Sequence, residues 1–453
     1  MIDIKQHLID RTPKSRELQQ RSAEVLAAEI VQTVEMPHPF YVAEAKGSRI
    51  TDVDGNEYID LTMGYGPLVL GHAPDEVVAA VQAQAARGLH VGLHNPHQER
   101  LARLITEAAP ANEEVIFANS GTEATMYAVR AARAYSGKWK IGLFDGNYHG
   151  VHDAVLARAE TDSPRERPTV AAKGAGVPQQ TLDGVVMLPY RSDAAFELIR
   201  EHRDELALIL IEPVQSSNPR MDHVEWMREL REVCRDAGVL FVLDEVITGF
   251  RLAYGGGQER FGLEPDLTTY GKAIGGGMPV GAVAGPREMM AFLGRGGYPR
   301  GVDGDEEGAQ RVRISAGTTF AGNPMTMVAG EAQVGYLSEH RAEVYPHLDE
   351  QSERFADEVN AFLRVEEIPA RIMHASSMFH LRFGEGAVES SRDLDDSFHA
   401  VEREFYQHLL YHGVIVPGIH LFFLSAAHSA EDVDTVSDAF KQSFTEIKER
   451  GLV

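Results

Sequence analysis

Between Glu114 and Gly285, short and nearly unbroken apolar runs alternate with stretches whose apolar positions recur every three to four residues. The runs are "EVIFA" (Glu114–Ala118), "KIGLFDG" (Lys140–Gly146), "GVVMLP" (Gly184–Pro189), "LALILIEP" (Leu206–Pro213), "VLFVLDEV" (Val239–Val246) and "VGAVAG" (Val280–Gly285). Such runs belong to strands covered on both faces, and helices between them predict a mainly parallel sheet. In "EWMRELREVCRDAG", Trp226, Leu230, Val233 and Cys234 share one helical face and Gly238 supplies a stop. Cys234 is therefore expected in the core, packing as a small hydrophobe rather than acting as a nucleophile. The expected fold class is α/β, with a large domain over residues 61–337. Residues 1–60 and 338–453 carry hairpin-like and amphipathic patterns, including "ITDVDGNEYIDL" (Ile50–Leu61) and "MFHLRF" (Met378–Phe383). They predict a smaller α+β domain built from both ends of the chain.

Asp52, Asp54 and Asn56 have the look of a calcium loop, but that loop needs its glycine sixth and Gly55 comes fourth. An Asp-Gly hairpin turn accounts for the segment better. Three polar loops interrupt the pattern: Thr161–Pro178, with the length of an active-site lid, Ala253–Gly262, and the acidic Gly301–Gln310.

The chain has 453 residues with 43 basic and 68 acidic side chains, a net charge of −25. Such a surface repels phosphate backbones and anionic lipids, so neither nucleic acid nor membrane is an expected partner. One cysteine cannot form an internal disulfide, and the mixed-charge start lacks an apolar signal segment, which together predict a cytoplasmic protein.

Three places carry candidate chemistry. Ser120, Gly121 and Thr122 stand where a strand gives way to a helix, offering N–H groups and hydroxyls to an anion such as phosphate; a plain N-cap would use the same residues. Asp244 ends the most apolar strand, at the edge where open α/β sheets bind ligands. It could serve a ligand or a structural ion pair; no metal is expected, since no nearby His and Asp have ligand spacing. Lys272 lies among Gly271, Gly275, Gly276, Gly277 and Gly281 in "TTYGKAIGGGMPVG". A surface loop lysine is the plain alternative, but glycines that let backbone and ligand approach closely could desolvate it into a nucleophilic amine. One ligand asks for all three features in this order. Pyridoxal 5'-phosphate has an aldehyde that needs an amine, a ring nitrogen that needs a carboxylate, and a phosphate that needs N–H and hydroxyl donors.

With "DVDGNEYIDL", "GPLVLGH", "NSGTEATMYAVRAAR", "GNYHG", "IEPV", "LDEVITGFR", "PDLTTYGKAIGGGMPVGA" and "GTTFAGNP" in order between about Pro39 and Phe440, the chain resembles the class III, fold-type I, pyridoxal-phosphate aminotransferases. Within them it is similar to the branch that includes glutamate-1-semialdehyde aminomutase. The resemblance implies that Lys272 holds the cofactor as a Schiff base and shuttles protons, that Asp244 pairs with the pyridine N–H, and that Ser120, Gly121 and Thr122 bind the phosphate. It further implies that Tyr148 stacks on one face of the ring, that Val246 packs on the other, and that Glu212 organises the pocket, unless Glu212 is only a structural salt bridge. Thr319 would reach the phosphate from the neighbouring subunit, which makes a homodimer with cofactor sites at the interface.

The resemblance is weaker where the aminomutase engages its substrate. "EIVQTVEMPHPFYVAEA" (Glu29–Ala45) lacks the expected arginine, and Ile419, His420, Leu421, Phe422 and Phe423 replace an acidic segment. Tyr65 falls where the family lines its pocket with an aromatic ring. The expectation is a transaminase working between an amino donor and an aldehyde or keto acceptor, on a hydrophobic or non-standard substrate such as an amine or β-amino compound. Arg382 or Arg49 could still supply a carboxylate partner. An aminomutase is the alternative, and a DNA-binding regulator on this scaffold would need a basic module that the acidic chain does not show.

Overall fold

A computed structural model describes residues 3–27, 39–293, 314–384, 386, 388, 391–393, 396–418 and 420–453. The expected acidic loop Gly301–Gln310, Ile419 and most of Glu29–Ala45 lie outside the described residues. The chain forms two compact units: Met1–Asp75 with Ala342–Val388 and Asp393–Val453, and Glu76–Arg341 with Glu389–Arg392.

The second unit is organised by a seven-stranded sheet. Its strands are β1 (Glu114–Ala118), β2 (Lys140–Phe144), β3 (Val185–Leu188), β4 (Leu206–Ile211), β5 (Leu240–Glu245), β6 (Leu267–Gly271) and β7 (Gly281–Gly285), in the order β1-β7-β6-β5-β4-β2-β3. All six apolar runs form strands, and Leu267–Gly271, just before Lys272, adds a seventh. Neighbours from β6 to β3 run parallel, while β7 runs antiparallel to both β6 and β1. Every residue of β4 is wholly buried. Removing a side chain of that size from water stabilises the fold by roughly 1.5–3 kcal/mol, which is why the run carries no polar alternation.

Helix α1 (Gly121–Ser136) follows β1 and packs on β6 and β7, with Ala124, Ala128, Ala131 and Ala132 buried. Helix α2 (Val224–Ala237) buries Met227, Leu230, Val233 and Cys234 and ends at Gly238 with φ +62°, a left-handed stop that glycine adopts without strain.

Two expected loops are otherwise. Within Thr161–Pro178, Val170–Ala172 is a strand paired antiparallel with Ala157–Ala159. Ala253–Gly262 is largely buried and contains a helix, Gly256–Phe261. Burial is possible because the Glu245 carboxylate accepts the free N–H groups of Gly257 and Gln258, both at 2.8 Å.

In the first unit, Arg49–Asp52 and Glu57–Asp60 form the expected hairpin, with Gly55 at φ +92° in its turn. Val42–Lys46 and Val414–Ile415 complete that sheet. A second sheet joins Ala370–Ala375, Met378–Phe383 and Phe422–Phe423. Phe355, Phe379, Phe405 and Phe422 form a buried aromatic core with Phe440 of the helix Ala430–Glu449. Among the described residues no helix is long and apolar enough to cross a membrane.

Candidate active site

Parallel strands send their C-terminal ends to one edge, so a residue just beyond each strand arrives at the same place. Ser120 follows β1, Tyr148 and His149 follow β2, Glu212 follows β4, Asp244 lies within the end of β5 with Val246 just past it, and Lys272 follows β6. Asp244 pairs in register with Thr269, while Gly271 pairs with Gly281, which in turn pairs with Ala118.

Asp244 and Glu245 are adjacent, so their side chains leave opposite faces of the sheet. Asp244 is buried. One of its oxygens accepts from His149 Nδ1 at 2.7 Å, and the other accepts from Thr269 Oγ1 at 3.0 Å and the Val246 N–H at 3.1 Å. His149 Nε2 is buried without a partner among the described residues. Glu245 on the other face accepts from Thr248 Oγ1 at 2.6 Å and caps the Gly256–Phe261 helix.

Glu212 accepts the Tyr148 N–H at 3.0 Å and the Ser216 hydroxyl at 3.2 Å. Burial raises its pKa to about 7, with the Asp244 charge adding and His149 opposing. Lys272 keeps part of its surface open, yet protein atoms crowd its amine closely enough that burial lowers its pKa from 10.5 to about 8. Arg251, wholly buried, pushes in the same direction, whereas Glu212 and Asp244 resist. Among the described residues the Lys272 amine makes no hydrogen bond and no ion pair. Its backbone has φ +46°, a strained value for a residue with a side chain.

Gly271, Gly275, Gly276 and Gly281 face protein, which corrects the expectation that they leave room for a ligand. A Cβ on Gly281 would sit 2.0 Å from Ser120 O, one on Gly276 2.4 Å from Ala329 O, and one on Gly275 2.7 Å from Val280 Cγ1. A Cβ on Gly121 would meet Val246 Cγ1 at 2.9 Å, and Gly271 faces the same methyl. These contacts lock the Ser120 turn, Val246 and the start of the lysine segment together.

Ser120, Gly121, Thr122, Tyr148, Glu212, Asp244, Val246 and Lys272 thus share one sheet edge. Thr319 is exposed on the segment after Ile314, and its neighbour Thr318 accepts from Asn119 Nδ2 at 2.5 Å. Other expectations fare less well. Phe422 and Phe423 are core residues of the first unit rather than pocket lining. Arg49 is paired with Asp432 at 2.8 Å and Glu57 at 3.3 Å, and Arg382 is buried on its strand, drawn to Glu402. Tyr65 and His420 meet edge to face at 5.3 Å. His149, Thr269 and Arg251 were not foreseen; the adjacency of His149 to Tyr148 in "GNYHG" was the available signal.

The aminotransferase class-III family matches residues 30–444. The chain belongs to the class-III aminotransferase family. Over 440 residues it is 35% identical to a glutamate-1-semialdehyde 2,1-aminomutase of Methanopyrus kandleri, covering 96% of this chain and 98% of that one. An omega-transaminase from Sphaerobacter thermophilus superposes with a TM-score of 0.89 at 33% identity, over 97% of this chain and 99% of that one. A β-phenylalanine aminotransferase from Variovorax paradoxus does so with a TM-score of 0.84 at 30% identity, over 99% and 97%. The fold is that of the fold-type I pyridoxal-phosphate enzymes, and pyridoxal 5'-phosphate is the cofactor of this class-III aminotransferase.

The residues at the sheet edge fit that group. The Ser120 hydroxyl accepts from the Glu123 N–H at 3.1 Å and the Thr122 hydroxyl from the Val151 N–H at 3.3 Å. Each hydroxyl proton remains to be donated to a phosphate, beside the Gly121 and Thr122 N–H groups, which make no hydrogen bond among the described residues. A crowded, unpartnered amine and a buried carboxylate complete the donor set.

Proposed function

We propose that this aminotransferase moves an amino group from an amino donor to a separate aldehyde or keto acceptor, with a hydrophobic or non-standard amine or β-amino substrate. The observation that carries this reading is the commitment of Arg49 to Asp432 and Glu57, together with the burial of Arg382. Neither arginine is free to receive an α-carboxylate, so a substrate that does not depend on one is favoured. The likeness to the omega-transaminase and the β-phenylalanine aminotransferase supports the same substrate range. Intramolecular transfer in the manner of glutamate-1-semialdehyde 2,1-aminomutase is the second reading, favoured by the relative of that name.

Pyridoxal phosphate, when bound, supplies an aldehyde carbon that accepts an amine and a protonated ring that draws electrons from the reacting carbon. Lys272 would hold it through Nζ and, once displaced by a substrate amine, move the proton at the amine-bearing carbon. The Lys272 pKa, lowered to about 8 chiefly by burial, leaves far more of the free amine neutral at about pH 7.5 than an ordinary lysine has. Asp244, oriented by His149, Thr269 and the Val246 N–H, would face the ring nitrogen. Ser120, Gly121 and Thr122 would hold the phosphate. Tyr148 and Val246 would pack on the ring faces, and Glu212 fixes the Tyr148 backbone.

The unit Glu76–Arg341 would carry the cofactor, and the remaining segments would form the smaller domain. A homodimer is part of the proposal. Leu89, Val91, Leu93 and Phe320 are exposed apolar residues on the cofactor-carrying unit, with Phe320 next to Thr319. A second copy covering them would bring Thr319 of the partner subunit to the phosphate. The acidic surface and lone buried Cys234 suit a reducing cytoplasm, where we place the enzyme.

The test is a single-turnover titration of the holoenzyme, followed by cofactor absorbance, with alanine, glutamate, a β-amino acid, an aryl-alkyl amine and glutamate-1-semialdehyde. Loss of the lysine-linked absorbance with one donor and its return on adding a keto acceptor supports transamination. Conversion of the semialdehyde without any acceptor, with the other donors inert, supports the aminomutase instead.

A further inference from the structure

Tyr148 is held at its backbone but barely at its ring. The ring is half exposed, and among the described residues its hydroxyl makes no hydrogen bond and no other aromatic ring packs on it. One cation does. Lys173 Nζ stands over the Tyr148 ring, 5.3 Å from its centroid.

Lys173 reaches that place from an anchored backbone. It directly follows the strand Val170–Ala172, and its N–H donates to Leu156 O at 2.9 Å, continuing the pairing with Ala157–Ala159. The hairpin is tied down a second time. Arg392 donates to Asp145 Oδ2 at 3.0 Å and to Ser163 O at 2.8 Å, while Asp145 Oδ1 accepts the Ala159 N–H at 3.3 Å. Glu212 and Asp145 both attract the Lys173 ammonium, against a burial that lowers its pKa. Glu212 therefore acts on Tyr148 twice, through its backbone N–H and through the cation above its ring.

We propose that Lys173 is a positioning residue for the reaction: by occupying one face of the Tyr148 ring it holds that ring so that the opposite face packs on the cofactor. The proposal rests on the stacking role given to Tyr148 above. The ring quadrupole attracts a cation over its face, and this attraction selects one ring orientation where hydroxyl and neighbouring rings supply none. Lys173 touches neither substrate nor cofactor in this arrangement and acts through Tyr148.

The experiment measures the dissociation constant for pyridoxal phosphate by titrating cofactor-stripped protein, with the circular dichroism of the bound cofactor as a second readout. The proteins are the parent, Lys173→Met, Lys173→Arg, Tyr148→Leu and Tyr148→Leu/Lys173→Met. Lys173→Met should weaken binding roughly three- to thirtyfold and change the dichroism, while Lys173→Arg, whose planar cation also stacks on rings, should restore both. In the Tyr148→Leu background Lys173→Met should have no further effect, and neutral and carboxylate-bearing donors should be affected alike. Unchanged cofactor affinity in Lys173→Met, or a rise in KM confined to carboxylate donors, overturns the proposal. So does an undiminished Lys173→Met effect in a Tyr148→Leu protein that itself binds weakly. If Tyr148→Leu binds the cofactor as tightly as the parent, the stacking role of Tyr148 fails, and the positioning role falls with it.

Discussion

The chain writes Gly-Gly-Gly twice, at Gly255–Gly257 and at Gly275–Gly277, and the two tripeptides serve opposite ends. Both are tightly packed: a Cβ on Gly256 would lie 2.6 Å from Glu245 Oε2, and one on Gly276 2.4 Å from Ala329 O. At the first, the nearby charge is consumed. Glu245 accepts from Thr248, Gly257 and Gln258, so burial has been offset by hydrogen bonds. At the second, the nearby charge is left unanswered, with Lys272 crowded, strained and without a hydrogen bond among the described residues. Glycine content does not distinguish a structural turn from a reactive one. The satisfaction of the adjacent ionisable group does.

Lys272→Ala offers the hardest test of that contrast. It should fold, with circular dichroism like the parent, yet lose at least about a thousandfold in turnover; a loss of less than about tenfold would end the assignment. Next come the two carboxylates of one strand end. Asp244→Asn should keep its melting temperature and lose on the order of a hundredfold in kcat. Glu245→Ala should behave in reverse, losing about 2 kcal/mol in urea unfolding because it strands two helix N–H groups, with little change in kcat per folded molecule. Equal effects on both would erase the distinction.

The pH dependence of the cofactor-free protein is a finer probe. The folded pKa of Lys272 is below its unfolded value, so between about pH 8 and 10.5 the unfolded chain binds more protons and stability rises with pH. Lys272→Met should therefore be more stable than the parent at pH 7, by about 1–2 kcal/mol once partial exposure is allowed for, and equally stable above pH 10.5. A difference independent of pH would mean packing, not charge, is at work. The smallest effect is expected at Thr319→Ala, roughly a fivefold loss of cofactor affinity seen only in protein that light scattering shows to be dimeric.

The strands were legible because burial on both faces leaves a run such as "LALILI" no polar positions to confuse the reading. Ser120, Gly121, Thr122, Asp244 and Lys272 were legible for a related reason, each lying at or just past the end of a strand that could be located, whereas Tyr148, Glu212 and Val246 came only from the family resemblance. Ala253–Gly262 misled because its polar atoms are answered by Glu245, a partner that no local pattern reveals. Phe422 and Phe423 misled because an apolar segment reads the same whether it lines a pocket or pairs with Met378 and Phe379. Lys173 was invisible, since a lysine in a polar loop carries no mark of the ring it will cover.

Cys234 carries a practical consequence. It is the chain's single cysteine, it is wholly inaccessible on α2, and burial pushes its thiol pKa upward. A thiol reagent can attach only in the moments when α2 lifts from β5. Labelling followed by mass spectrometry would therefore give the average rate of those openings, an internal stopwatch for the motions of the enzyme's own interior.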